Sequence, residues 1–231
     1  AGLRLLMLAA PSAGEDARPQ VYQERRSQTL LFDFLTQEVL SRLPAQVLDF
    51  LLETSILTTL HPALCDAVRS QSDRTADSAA MLRHLVLDGL FVTEIADQDG
   101  WYRYHPQFQT CLRSQLHQQR TAEAINHLSI RAAGWYGEHG YVTESMQAYL
   151  AAGQPECAAD QLELTLSTLY RQEQNQLLQY LLGLLPPALV TERPALLMVQ
   201  CWLAELRSQW AVMRKCADQA ERLLQRPGEC A

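Results

Sequence analysis

One stretch of this chain breaks an otherwise helical rhythm. Phe91-Val92-Thr93-Glu94-Ile95 and Trp101-Tyr102-Arg103-Tyr104 are aromatic and β-branched runs on either side of Asp97-Gln98-Asp99-Gly100. That pattern predicts a β-hairpin closed by a glycine-assisted turn. No second strand pair is legible. The fold class expected is therefore mainly α, with a single hairpin that must pack against helices.

The helices ahead of the hairpin follow from spacing. Leu30, Leu31, Phe34, Leu35, Val39 and Leu40 recur at helical intervals, and Pro44 closes that helix while opening the next, which carries Val47, Phe50, Leu51 and Leu52. Residues 61–68 and 76–87 make two more, the last stopped by Gly89. A further helix is expected at 108–117. Helices, one hairpin and a closing helix are the element order of a winged-helix domain, assigned here to residues 21–117. Residues 3–10 read as the tail of a helix and 11–19, rich in Pro, Gly and charge, as a linker, so 1–20 forms a separate leading piece. Residues 1–14 also have the outline of a signal peptide, but the apolar run from Leu5 to Ala10 is short.

From residue 118 to 231 the pattern is helix after helix, broken at Gly140, Gly153-Gln154-Pro155, Pro186-Pro187 and Pro194. The segments pair as 122–139 with 142–152, 158–171 with 175–184, and 195–206 with 210–224. Stacked antiparallel hairpins of tetratricopeptide type are expected, an array that offers a concave face to partners. The joint at 117–121 shows no hydrophobic staple, so the two parts are expected to unfold separately.

Composition excludes several function classes. With 231 residues and 48% apolar content the chain can bury a substantial core. A net charge of −7 argues against polyanionic nucleic acid as the main partner. Lys215 is the only lysine and follows Arg214 in a helical stretch, whereas a phosphate-binding loop needs Lys directly after Gly. The six cysteines, Cys65, Cys111, Cys157, Cys201, Cys216 and Cys230, are scattered singly, as suits a reducing cytoplasm. Pro186 and Pro187 interrupt the best candidate for a membrane span. There is no serine nucleophile elbow, no His-Glu-x-x-His and no Gly-rich phosphate loop, so the chain is expected to be non-catalytic and to hold no metal or cofactor of its own. His61 and Cys65 lie four apart, but no second pair supports a metal site; Pro62 in a first turn and Cys65 on an apolar face are the expected roles.

Three stretches in one order resemble a known family. They are Leu31-Phe32-Asp33-Phe34-Leu35-Thr36-Gln37-Glu38-Val39-Leu40 running on through Phe50-Leu51-Leu52-Glu53-Thr54-Ser55-Ile56-Leu57 to Leu64-Cys65-Asp66-Ala67-Val68, then Trp101-Tyr102-Arg103-Tyr104-His105, then Ala195-Leu196-Leu197 onward to Leu224. Together they resemble the MalT-like large ATP-binding regulators of the LuxR family, bacterial signal-transduction ATPases with numerous domains. The resemblance implies a domain order of ATPase core, helical subdomain, winged helix, helical sensor array and C-terminal helix-turn-helix. This chain would then be an internal segment of a cytoplasmic transcriptional activator. ATP or ADP would be held by an upstream ATPase domain, DNA contacted only through the helix-turn-helix, and an effector or inhibitory protein sensed by the array.

The same resemblance singles out His105, because relatives place a winged-helix histidine against the β-phosphate of bound ADP. Here Pro106 and Gln107 stand where the family usually has His and Leu. An imidazole donor on a phosphate would favour the compact, nucleotide-bound state. The aromatics of the array are core residues by default, with Trp202 and Trp210 kept as candidates for partner binding. Two other readings compete: a stand-alone helical interaction scaffold, and a winged-helix DNA binder. Charge weighs against the second, since residues 28–117 hold eleven acidic side chains against six arginines, with Asp97 and Asp99 in the wing itself.

Overall fold

The computed structural model describes residues 38, 40–69, 77–96 and 98–225. The helix expected at 3–10, the linker at 11–19, most of the helix from Leu30 to Leu40, and Cys230 lie outside the described residues. Within them the order is α1 (Ala45–Thr54), α2 (Pro62–Val68), α3 (Ser78–Leu87), β1 (Val92–Glu94), β2 (Tyr102–Tyr104), α4 (Pro106–Gln119), α5 (Ala122–Glu138), α6 (Val142–Ala151), α7 (Pro155–Arg171), α8 (Asn175–Leu184), α9 (Pro187–Glu192), α10 (Pro194–Leu206) and α11 (Trp210–Leu224). The chain is mainly α, as expected, with one hairpin. No helix among the described residues is long and apolar enough to cross a membrane.

The winged helix starts from local signals. Pro62 occupies the first turn of α2, and the Asp77 side chain accepts from the Ala79 N–H at 3.0 Å to cap α3. Strands β1 and β2 pair antiparallel, Val92 opposite Tyr104 and Glu94 opposite Tyr102. A third edge was not legible in the sequence: Leu60 bridges to Tyr102 through two backbone hydrogen bonds of 2.7 and 2.8 Å. Under this sheet lie Phe50, Leu64, Leu82, Phe108 and Leu112, all fully buried. Each such side chain contributes about 1.5–3 kcal/mol by leaving water.

Tyr104 ties the hairpin to α1. Its ring is 4% exposed, and its hydroxyl sits 2.7 Å from Thr54 Oγ1. The Thr54 hydroxyl already donates to the Phe50 carbonyl at 2.6 Å, so Tyr104 must be the donor.

The joint between the two parts is not bare, which corrects the expectation of independent unfolding. Leu128, Ala132 and Tyr136 of α5 belong to the same buried cluster as the winged-helix residues, and α5 packs on α2. The contact comes from the middle turns of α5 and not from residues 117–121, so no staple at the joint could announce it. Thr121 caps α5 by accepting from the Ala124 N–H.

From α5 onward the geometry repeats. Helices α5 and α7 are both 17 residues, α6 and α8 both 10, and each second member starts 33 residues after the first (122 to 155, 142 to 175). The sequence shows almost no identity at that offset. The turn recurs instead: residues 140, 153, 173 and 208 each follow a helix in the left-handed region, and the next residue donates back across the helix end. Two of these are glycines, but Glu173 (φ 53°) and Ser208 (φ 56°) are not. A second buried cluster, with Met146, Leu162, Leu178, Leu181, Leu196 and Val199 at its centre, runs through the array.

Two outcomes follow from these facts. A non-glycine residue in the left-handed region costs roughly 1–2 kcal/mol, partly offset by the flexibility glycine adds to the unfolded chain. Glu173→Gly and Ser208→Gly should each raise stability by about 0.5 kcal/mol in urea titration. Gly140→Ala, where open space surrounds an added Cβ, should lower it by about 1 kcal/mol through the backbone alone. No gain in the first pair would mean that the turn geometry is relaxed.

The second outcome concerns alkaline pH. Burial is the largest cause pushing the Cys65 thiol and the Tyr104 and Tyr136 phenols up from ordinary values of 9.0 and 10.0. Each folded pKa lies above its unfolded value, so the stabilisation is complete below pH 9 and is lost as pH rises past 9 and then 10. Urea midpoints measured from about pH 8 to 11 should fall across that window. Tyr104→Phe should flatten part of the fall while costing about 1 kcal/mol at neutral pH. A flat wild-type profile contradicts this account.

Candidate regulatory site

Strand alternation decides what the hairpin shows to solvent. Tyr102 and Tyr104 point into the core while Arg103 and His105 are exposed. The His105 N–H donates to the Phe91 carbonyl at 2.7 Å and so closes the mouth of the hairpin one residue beyond β1 and β2. Phe91 itself has φ 54°, a left-handed conformation that bulky residues rarely adopt. Packing holds it there, its ring 5.0 Å from that of Phe108.

His105 is also the N-cap residue of α4, with Pro106 in the first turn and no side-chain cap hydrogen bond. Its imidazole therefore stands at the positive end of a helix of 14 residues. Such a position suits an anion, because the helix end and an imidazole N–H both favour negative charge.

The far side of α4 is clasped to the rest of the domain by residues that sequence reasoning missed. Gln109 donates to the carbonyls of Ser55 and Leu57 at 2.9 and 2.5 Å, and Arg113 to those of Ser55 and Ile56 at 2.9 and 3.0 Å. These carbonyls lie just past the end of α1, where helical partners run out. The signal was only a polar pair at i and i+4, which reads equally well as a solvated face.

His61 and Cys65 are separated by their surroundings. Cys65 is fully buried on the inner face of α2. His61 is the N-cap residue of that helix and packs against the rings of Trp101 and Trp135, at 5.1 and 5.9 Å, which also meet each other at 6.4 Å. Burial, and then the nearby His139, lowers the His61 pKa from its ordinary 6.5. Trp135 in turn stacks on His139 at 4.0 Å and lies parallel to Tyr141 at 5.9 Å. The wing and the first hairpin of the array thus meet through aromatic rings.

Trp202 and Trp210 fall in different settings, neither in the cluster that underlies His105. Trp202 is half-buried and meets Tyr170 edge-on at 4.8 Å within the second cluster. Trp210 opens α11 and is 60% exposed. Close by, a cavity of about 390 Å³ lies between α8, α9, α10 and α11, lined among others by Gln179, Thr191, Gln200, Arg207 and Val212. Of the three residues singled out in the sequence, His105 and Trp210 face solvent and Trp202 mainly packs.

The face that a DNA-binding winged helix would present carries little positive charge. The exposed positions of α3 are Ala80, Arg83, His84 and Leu87, and the cap after it is Asp88. One arginine, flanked by Asp77 and Asp88 at the two ends of the helix, does not make a phosphate-binding surface.

Comparison with known proteins agrees with this architecture. Residues 36–124 match the MalT winged helix domain. Over 195 residues, 84% of this chain, the sequence is 29% identical to the HTH-type transcriptional regulator MalT of Yersinia pestis (strain Pestoides F). The proteins of the same description from Yersinia pseudotuberculosis (serotype O:1b) and Yersinia enterocolitica (serotype O:8) match to the same extent. The chain spans 21% of the length of each of these relatives. Residues 36–124 are thus similar to the MalT winged helix domain, in a chain similar over 84% of its length to the transcriptional regulator MalT.

Proposed function

We propose that this chain is the regulatory segment of an ATP-dependent transcriptional activator, a non-catalytic piece in which the winged helix responds to bound nucleotide and the helical array to an effector or inhibitory protein. The ATP or ADP would be held by an ATPase domain upstream in the parent protein, in the cytoplasm. DNA would be reached through a helix-turn-helix elsewhere in the parent. What supports the reading most directly is His105, an exposed residue at the N-cap of α4 inside the segment that matches the MalT winged helix domain. The cavity beside Trp210 supports the array's share, since it joins four helices in a setting where a bound group would touch them all.

In this mechanism His105 and the positive end of α4 would together hold a phosphate of ADP in the resting state. The strained Phe91 links that contact to the hairpin, because its carbonyl accepts from the His105 backbone. Loss of the phosphate contact removes a reason for the winged helix to stay closed on the nucleotide, and the population shifts toward the open form.

The test is His105→Ala in the intact parent protein. Removing a charge-assisted contact should cost the resting state about 1.5–3 kcal/mol, so ADP affinity drops and transcription begins without inducer. Unchanged ADP retention with a lowered melting temperature would make His105 a packing residue instead. The DNA-binding alternative has its own measurement. Titration of labelled duplex with this chain at physiological salt should show no micromolar binding, and observing such binding would revive that reading.

A further inference from the structure

The junction between the wing and the first hairpin of the array holds a second cavity, of about 440 Å³ and open to solvent on one side. Its walls come from both sides of the joint: Thr59, Asp99 and Trp101 from the winged helix, and Tyr136, Tyr141 and Glu144 from α5, the turn and α6. Three of these are aromatic, and Tyr141 packs edge to face with the other two. Trp101 meets Tyr141 at 69° with centroids 5.6 Å apart, and Tyr136 meets Tyr141 at 75° and 6.1 Å. Trp135, nearly parallel to Tyr141 at 11°, backs that wall from behind.

The cavity is negative where it opens. Tyr136 is 5% exposed and its hydroxyl is hydrogen-bonded to the Thr59 side chain. Asp99 and Glu144 are exposed at the rim, and among the described residues no Lys or Arg lines the cavity. Burial, and then the nearby His139, lowers the pKa of His61 beside Trp101, which disfavours an opposing charge there. Aromatic faces present the negative part of their quadrupole to a cation, and carboxylates beside them add a full charge.

We propose that this cavity binds a small organic cation, an alkylammonium or guanidinium compound, held between the rings of Trp101, Tyr136 and Tyr141 and neutralised by Asp99 and Glu144. Because the walls come from both parts of the chain, the ligand is a bridge. Its binding tightens the seat of the wing on the array and couples the two parts through a site separate from His105 and from the cavity beside Trp210. The volume lies in the range of small-molecule sites, and the ring set is of the kind that recognises quaternary ammonium groups.

The experiment uses the whole chain and three probes: choline, its uncharged carbon isostere 3,3-dimethylbutan-1-ol, and agmatine. Binding is followed through the tryptophan indole N–H signals in NMR, with Trp101→Phe to assign the junction. Choline or agmatine should shift the Trp101 signal saturably at or below millimolar concentration and raise the melting temperature. The neutral alcohol should bind at least about tenfold more weakly, the loss expected for removing the charge from an aromatic cage. Asp99→Asn with Glu144→Gln, both at exposed positions, should weaken choline by a similar factor while the Trp202 and Trp210 signals stay in place as a check on the fold. Tyr141→Leu, which keeps an apolar side chain but removes a wall, should do the same. Absence of any saturable shift, equal binding of the neutral alcohol, or undiminished binding by the Asp99→Asn, Glu144→Gln variant would each overturn the proposal.

Discussion

The hydroxyl of Tyr104 is buried beneath the hairpin, donates to Thr54, and through Thr54 reaches the last turn of α1. A phenol in that position must stay protonated and must find an acceptor, since an unmet buried donor costs more than the bond itself returns. That requirement sets the depth and register of β2. The register places Tyr102 and Tyr104 inward and Arg103 and His105 outward, and it puts Trp101 at the edge facing the array. Slip by one residue would reverse all of these at once. The exposed histidine and the aromatic junction therefore both depend on one buried polar contact.

Strain and its relief are distributed around the same element. Phe91 is held in a left-handed conformation by ring packing on Phe108 and by its carbonyl's bond from His105. Gln109 and Arg113 fix α4 to the carbonyls beyond α1, so the helix that begins at His105 cannot drift from the hairpin without breaking several bonds together. An element of that kind has few intermediate positions. It suits a switch better than it suits a passive linker.

The array follows a different logic, in which repetition resides in geometry. Two hairpins with matching helix lengths and a 33-residue offset share a turn in which one residue takes the left-handed region, although the residues at that place are Gly140, Gly153, Glu173 and Ser208. Glycine meets that demand at little cost; Glu173 and Ser208 meet it because the flanking helices are already packed against each other. The junction with the winged helix is made by the middle of α5, where Leu128, Ala132 and Tyr136 enter the first core. The two parts are continuous through a helix, and a signal in one has a packed route to the other.

Much of this was legible in the residues. The change of period at 91–104 marked the hairpin, Pro62 marked a helix start, and Gly89, Gly140 and Gly153 marked helix ends, because dihedral restrictions act locally and leave local traces. The paucity of lysine and the acidic winged helix followed from composition, and the order of motifs led to the family resemblance. What the tertiary structure alone decided was everything carried by contact between distant residues: the Leu60 bridge to Tyr102, the clasp of Gln109 and Arg113, the burial of Tyr136 in the neighbouring core, and the ring contacts of Tyr141 with Trp101 and Tyr136. An aromatic or polar residue at helical spacing carries the same local signature whether it fills a core, meets a carbonyl or walls a cavity. Only the partners brought to it by folding distinguish these roles.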